Sequence, residues 1–222
     1  MKHLVITADD FGLSASVNRA IIQAFREGML TSASLLANGP AFEEAAALAH
    51  QHPGLAVGLH LNLYRGRPLT APAQVPSLVD QRTGAFLGSL PRVVWRLAAG
   101  GFNEQEVYLE GKAQADRLLA AGITPTHLDS EKHLHHAPRV RHAVLRLAKE
   151  LGVRRIRAVE EPLKLRAWWG LAIRGDWYRL AAPAVFAAAR RQFVAEGFRV
   201  PRYSFGFFRP MTREVLEETL HA

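Results

Sequence analysis

Hydrophobic positions in the first third of the chain switch between two periods. His3 to Thr7 is a short, apolar, β-branched run that predicts a strand, and it leads into Asp9, Asp10 and a turn at Gly12. From there Val17, Ala20, Ile21, Ala24 and Phe25 recur at i, i+3, i+4, i+7 and i+8, which is one face of a helix. Ser14 or Ser16 is placed to cap that helix and Gly28 to stop it. Thr31 to Ala37 predicts a second strand, Asn38-Gly39-Pro40 a turn, and Phe42 to His50 a helix. Leu55 to Leu63 then alternates strictly, with Leu55, Val57, Leu59, Leu61 and Leu63 on one face. Ala56, Gly58, His60 and Asn62 must face the other way. Strands alternating with helices predict βαβ units and a parallel sheet.

Beyond this point Gly66, Pro68, Pro72, Pro76, Gly84 and Pro91 punctuate a long loop over 64–91. Loops of that length inside compact domains are usually functional. Helical patterns follow at about 92–99 and 104–120, then a strand from Thr126 to Glu131, a helix from Pro138 to Leu151 and a strand from Arg155 to Val159. Residues 163–196 read as helical and combine Trp168, Trp169, Trp177, Tyr178 and Phe186 with several arginines. That composition suits a lid over a sugar, and equally an amphipathic helix with a plain apolar core face. Tyr203 to Phe207 is expected as a further strand, with a last helix from about Thr212.

The 222 residues, 49% of them hydrophobic, suffice for one domain with a sizeable core. No stretch approaches the roughly 20 apolar residues of a membrane span, and no signal peptide is legible in MKHLVITADDFG, so a cytoplasmic protein is expected. Zero cysteines exclude disulfides, thiolate nucleophiles and Cys-based zinc sites. Any metal must be held by His, Asp and Glu. The formal net charge of +8 fits acidic partners in general. No nucleic-acid-binding module accompanies it, so nucleic acid is not an expected partner.

In a parallel sheet or barrel the βα loops gather at the C-terminal ends of the strands, so polar residues there are the first candidates for chemistry. Three such clusters occur. Asp9-Asp10 ends the first strand. His60 lies on the polar face of the third. THLDSEKHLHH, residues 126–136, packs four of the ten histidines beside one Asp and one Glu. If that strand stays extended, His127, Asp129 and Glu131 share one face, followed by His133 and His135. Taken singly, each cluster has a structural alternative: an Asp pair before a turn, a hydrogen-bonded strand histidine, a solvated polar loop. Together they outline a divalent-cation site with open positions.

The segments TADDFGLS with VNRAI, TSASLLANG, PGLAVGLHLNL and THLDSEKHLH resemble, in order and spacing, the YdjC-like family of carbohydrate deacetylases, whose ChbG and HpnK branches it includes. The likeness runs almost from end to end. It implies an α/β fold, a distorted TIM-like (β/α) barrel forming a single domain over 1–222, with its completeness left open by where the sequence ends. It also implies hydrolytic removal of acetyl groups from N-acetylated sugars with one divalent metal ion, Mg, Zn or Mn. Carried over by motif, Asp9 would be the general base, Asp10 a metal ligand and His60 a second ligand. Where the family usually presents a histidine, this chain has Glu131 followed by Lys132. A glutamate there keeps a ligand but makes the site more oxygen-rich.

Relatives also continue past the helix near Met211 into a strand bearing a His-Pro element, whereas this sequence stops at Ala222. The expectation is a shortened sequence or a barrel open on one side, with His133 or His135, and by preference His135, supplying the proton to the leaving amine. His127, Asp129 and His133 are expected around substrate or behind the ligands, with Asp129 orienting a histidine. The expected partner is an N-acetylated oligosaccharide or a glycolipid. Peripheral contact with anionic lipid and a homodimer stay open, as does a non-catalytic, metal-dependent sugar-binding relative with a degenerate site.

Overall fold

The computed structural model describes residues 4–160 and 177–204. The chain divides into two compact units, 1–156 and 157–222. In the first, β1 (Thr7–Phe11), α1 (Ala15–Arg26), β2 (Ser32–Leu35), α2 (Phe42–Gln51) and β3 (Ala56–Leu61) follow one another. After the long loop come α3 (Leu90–Ala98), α4 (Glu104–Ala120), β4 (Leu128–Ser130), a 3-10 segment (Glu131–His136) and α5 (Pro138–Glu150). The four strands form one parallel sheet in the order β1-β2-β3-β4. Its register sets Ser32 beside Thr7, Ala56 beside Ser32, and Asp129 beside His60.

The local causes are those of an α/β chain. Ser14 caps α1 by accepting from Val17 N, and Gly28, at φ 78°, lets the chain leave the helix in the left-handed region. The buried face of α1 uses Ile21 and Ile22, with Ala20 exposed, so the predicted stripe is rotated by one position. Asn18 is fully buried in that face: its Oδ1 accepts from Gly12 N at 2.7 Å and its amide donates to Glu44 Oε2 at 2.8 Å. The turn after β1 is thereby tied to α2.

Both faces of the sheet are covered, as parallel sheets require. All four residues of β2 are buried, and in β3 both the leucine face and His60 are. The strict alternation from Leu55 to Leu63 therefore reports two different buried surroundings, not a wet face and a dry one.

Three predicted boundaries move. The first strand is Thr7–Phe11, and the apolar Leu4, Val5 and Ile6 before it are exposed. The strand expected at Arg155 to Val159 is reduced to a single bridge between Ile156 and Leu128. The third change lies after β4. Extended geometry does not persist to His135, because the backbone turns at Lys132 (φ 54°) and His133 (φ 55°) into the 3-10 segment.

The 64–91 loop is packed, not loose. Val75, Leu78, Val79, Phe86 and Leu87 are buried, and Val79 and Phe86 form an antiparallel bridge. One face of α4 holds this segment from below. Glu110 accepts from Leu69 N at 3.0 Å and Thr70 N at 2.9 Å, and Glu106 accepts from Ser77 N at 2.6 Å. One turn further on, Gln114 exchanges a pair of hydrogen bonds with the backbone of Asn62, at 2.9 and 2.7 Å.

In the second unit α6 (Trp177–Ala195) carries Pro183, with Ala189 and Phe193 buried. Arg190 pairs with Glu160 and donates to the carbonyl of Pro201 at 2.8 Å. The expected helical lid over 163–196 lies partly outside the described residues, Trp168 and Trp169 included. So do the expected strand from residue 205 onward and the helix near Thr212. Among the described residues no helix is long and apolar enough to cross a membrane.

Candidate metal centre

The carboxyl ends of β1, β3 and β4 bring charged groups from three parts of the sequence to one place. β1 changes register between Ala8 and Phe11, and within that irregularity Asp10 adopts φ 65°. Bulges of this kind re-aim a side chain. Lys132 and His133, the remaining non-glycine residues of positive φ among those described, flank Glu131 on its C-terminal side. Unfavourable backbone conformations thus concentrate at this one site, as they do at functional positions.

His60 is buried between the carboxylates. Its Nδ1 lies 2.6 Å from Asp129 Oδ1, and Asp129 also accepts from Ser34 Oγ at 2.8 Å. The opposite ring nitrogen, Nε2, stands 3.9 Å from Asp10 Oδ1 and 3.7 Å from Glu131 Oε2. Asp10 Oδ1 is itself buried without a hydrogen-bond partner among the described residues. The outer oxygens of the same carboxylates meet cations: Arg65 Nη2 is 2.7 Å from Glu131 Oε1 and 3.7 Å from Asp10 Oδ2, and Lys132 Nζ is 2.9 Å from Glu131 Oε1.

Two overlapping groups have ligand atoms that all lie within 4.8 Å of one another: Asp10, His60 and Glu131, and Asp9, His60 and Asp129. Metal–ligand bonds of about 2.0–2.2 Å separate neighbouring ligand atoms by roughly 3–3.5 Å. Separations of 3.7 and 3.9 Å around Nε2 fit such a shell with slight contraction. The 2.6 Å between His60 Nδ1 and Asp129 is a hydrogen bond, too short for two ligands of one ion. The first group fits a divalent cation, with an imidazole nitrogen and two carboxylate oxygens close together, one of which, Asp10 Oδ1, is buried without a hydrogen-bond partner among the described residues. Asp129, hydrogen-bonded to Nδ1, is placed where it would orient the ring behind such a cation and leave the Nε2 lone pair to face it.

The charged groups of the cluster shift one another. Burial works to lower the His60 pKa, but the Asp129 carboxylate and Glu131 more than reverse this and push it up to about 10. Burial, then the neighbouring Glu131 carboxylate, raises Asp10 above the ordinary carboxylate value. Burial opposes ionisation of Glu131 too, yet hydrogen bonds from His60, Arg65 and Lys132 outweigh it and hold that carboxyl well below the usual range.

The other sequence candidates are distributed around this core. Asp9 is exposed beside the site and lies within the second group. His127 stacks on the bare face of Gly58, where an added Cβ would come within 2.5 Å of the ring, and its Nε2 is 3.2 Å from Ser34 Oγ. His133 and His135 do not continue the strand face, since the left-handed turn intervenes. His135 is fully buried, with Nδ1 2.7 Å from Ser130 Oγ and its ring 4.1 Å from that of His136. Neither histidine belongs to the converging ligand groups. Burial, then the neighbouring His135 and His133, keeps His136 well below the ordinary imidazole value. Arg65 is absent from the sequence candidates. Its one signal there is an arginine five residues after His60, where the strand face ends.

The fold and site define an α/β protein with a carboxylate–imidazole cluster at its strand ends whose residues could hold a cation. The chain belongs to the YdjC-like family: the model of YdjC-like proteins matches residues 3–222. It is 44% identical over 148 residues to a carbohydrate deacetylase of Geobacillus stearothermophilus, covering 67% of this chain and 56% of that protein. A chitooligosaccharide deacetylase of Serratia marcescens is 37% identical over 179 residues, covering 75% of this chain and 68% of that one. The chain thus spans a little over half the length of the Geobacillus protein. A crystal structure from Enterococcus faecalis V583, of a protein assigned to cellobiose-phosphate cleavage, superposes with a TM-score of 0.75 at 25% identity. It covers 98% of this chain and 74% of that one, and agrees with a distorted barrel.

Proposed function

We propose that this chain carries the active centre of a divalent-metal-dependent hydrolase that removes acetyl groups from N-acetylated sugars. The observation that carries this is the convergence of Asp10, His60 and Glu131 with Asp129 behind His60. The names of the deacetylase relatives support the substrate class. A divalent cation bound there would supply Lewis acidity, lowering the pKa of a water from 15.7 toward about 7 and stabilising charge on a carbonyl oxygen.

The chain's own groups do the rest. Asp9, exposed next to Asp10, takes the proton of the attacking water. Asp129 and Ser34 keep His60 in one orientation, and Glu131 and Asp10 contribute one inner oxygen each. The return of a proton to the leaving amine is assigned to His133 or His135, of which His133 is half-buried and His135 fully buried. The test is acetate release from N-acetylated chitooligosaccharides after chelation and re-addition of Zn2+, Mn2+ or Mg2+. Activity should follow the metal and be lost in Asp9→Asn and His60→Ala. Unchanged rates in both variants refute the mechanism.

The complete burial of His135 favours a second assignment, a metal-dependent sugar-binding protein without turnover. Binding of an acetylated sugar in the presence of metal, with no acetate released, selects it.

A further inference from the structure

The two carboxylates of the candidate centre divide their oxygens. Glu131 Oε2 and Asp10 Oδ1 face His60 Nε2, while Glu131 Oε1 and Asp10 Oδ2 face the guanidinium of Arg65. A cation on the inner side therefore does not have to expel Arg65 from the outer side. Arg65 spans both carboxylates, is one-third exposed, and comes from the loop just after β3, which Asn62 and Gln114 hold in place. Lys132 is different: it is 41% exposed, lies over the Tyr64 ring, and among the described carboxylates pairs with Glu131 and not with Asp10.

Charge gives this division a consequence. Two carboxylates and a neutral imidazole cancel a divalent ion completely, which would bind it tightly and blunt its pull on an added oxygen. We infer that Arg65 is a positioning residue for the cation: it holds Asp10 and Glu131 as one-oxygen ligands and cancels one of their charges. The pair Glu131–Arg65 then acts as a single neutral ligand. This rests on the metal-centre assignment above and adds to it a specific electrostatic role.

Like charges a few ångströms apart repel, so Arg65 weakens cation binding overall even as it orders the ligands. Isothermal titration calorimetry of the full chain with Zn2+ alone and Mn2+ alone, without sugar, tests this. Arg65→Ala and Arg65→Gln are expected to bind at least about tenfold more tightly than the unaltered chain. Arg65→Lys, which keeps the charge, and Lys132→Ala should stay within about threefold.

Glu131→His alone, a neutral ligand left facing Arg65, should bind about tenfold more weakly, and adding Arg65→Ala to it should restore the original affinity to within about threefold. Circular dichroism and melting temperature confirm folding, and a merely structural role for Arg65 would loosen binding, never tighten it. If the unaltered chain binds neither ion, the metal centre falls and this inference with it. If the unaltered chain binds and Arg65→Ala and Arg65→Gln do not tighten binding, or Lys132→Ala matches them, only the role of Arg65 is overturned.

Discussion

Glu110 and Glu131 are both almost completely buried, at 0% and 2% exposure, yet they are embedded in opposite ways. Glu110 takes its hydrogen bonds from neutral donors: the backbone N–H groups of Leu69 and Thr70, and the Gln114 amide at 2.7 Å. Around Glu131 stand two cations, a histidine, and a second carboxylate with an orphaned oxygen. The first arrangement is closed, its acceptors answered by the fold itself. The second draws charged groups from three strand ends to one place. Burial of a carboxylate is therefore uninformative about chemistry; what marks a site is several strand ends leaving acceptors aimed at one place.

That contrast can be broken most forcefully at His60. His60→Ala removes the nitrogen donor and should lower acetate release by about a thousandfold or more, the several kcal/mol that a bound cation contributes. Glu110→Gln should leave turnover near its original value in the same assay. Comparable losses in the two variants would erase the distinction. Next in size, Asp129→Asn deprives His60 of its carboxylate partner and should weaken Zn2+ binding by about 10- to 100-fold in calorimetry while the fold is kept.

The pH dependence sharpens the comparison further. In the metal-free chain His60 holds a proton up to about pH 10, and the imidazole must lose it to become a ligand. Cation affinity should thus rise by about tenfold per pH unit between 7 and 9, with one proton released per ion. Titrations in buffers of different ionisation enthalpy read this directly. The sign for stability is the reverse. A raised histidine pKa stabilises the metal-free fold fully below its ordinary value of about 6.5, and that contribution fades as pH climbs toward 10. A pH-independent affinity would contradict the protonated state.

The smallest effects belong to the closed region. Glu110→Gln places an amide N–H2 against a backbone N–H and should cost about 1–3 kcal/mol in denaturant unfolding. Gly58→Ala, which sets a methyl group against the His127 ring, should cost a similar amount.

Much of the site was legible in the chain because its residues sit where strand parity and strand ends place them. His60 falls on the face opposite the leucines, and Asp10 and Glu131 flank the ends of β1 and β4. The helix from Glu104 to Ala120 was readable from its pattern to the residue. What escaped was set by tertiary partners. Parity cannot foresee the left-handed turn at Lys132 and His133, since it assumes extended backbone and two successive non-glycine residues rarely leave it this way. Arg65 looks like any loop arginine until Glu131, distant in the chain, is beside it. Glu110 and Gln114 look like solvent-facing helix positions, and only the backbone of the loop and of Asn62 reveals that they point inward.

The two anchors on α4 that grip residues 69, 70 and 77, Glu110 and Glu106, with Gln114 holding Asn62 just ahead of them, make this part of the long segment a wall and not a door. Access to the candidate centre then needs no swing of that segment, and any turnover there should be insensitive to added microviscosogens that slow hinged flaps.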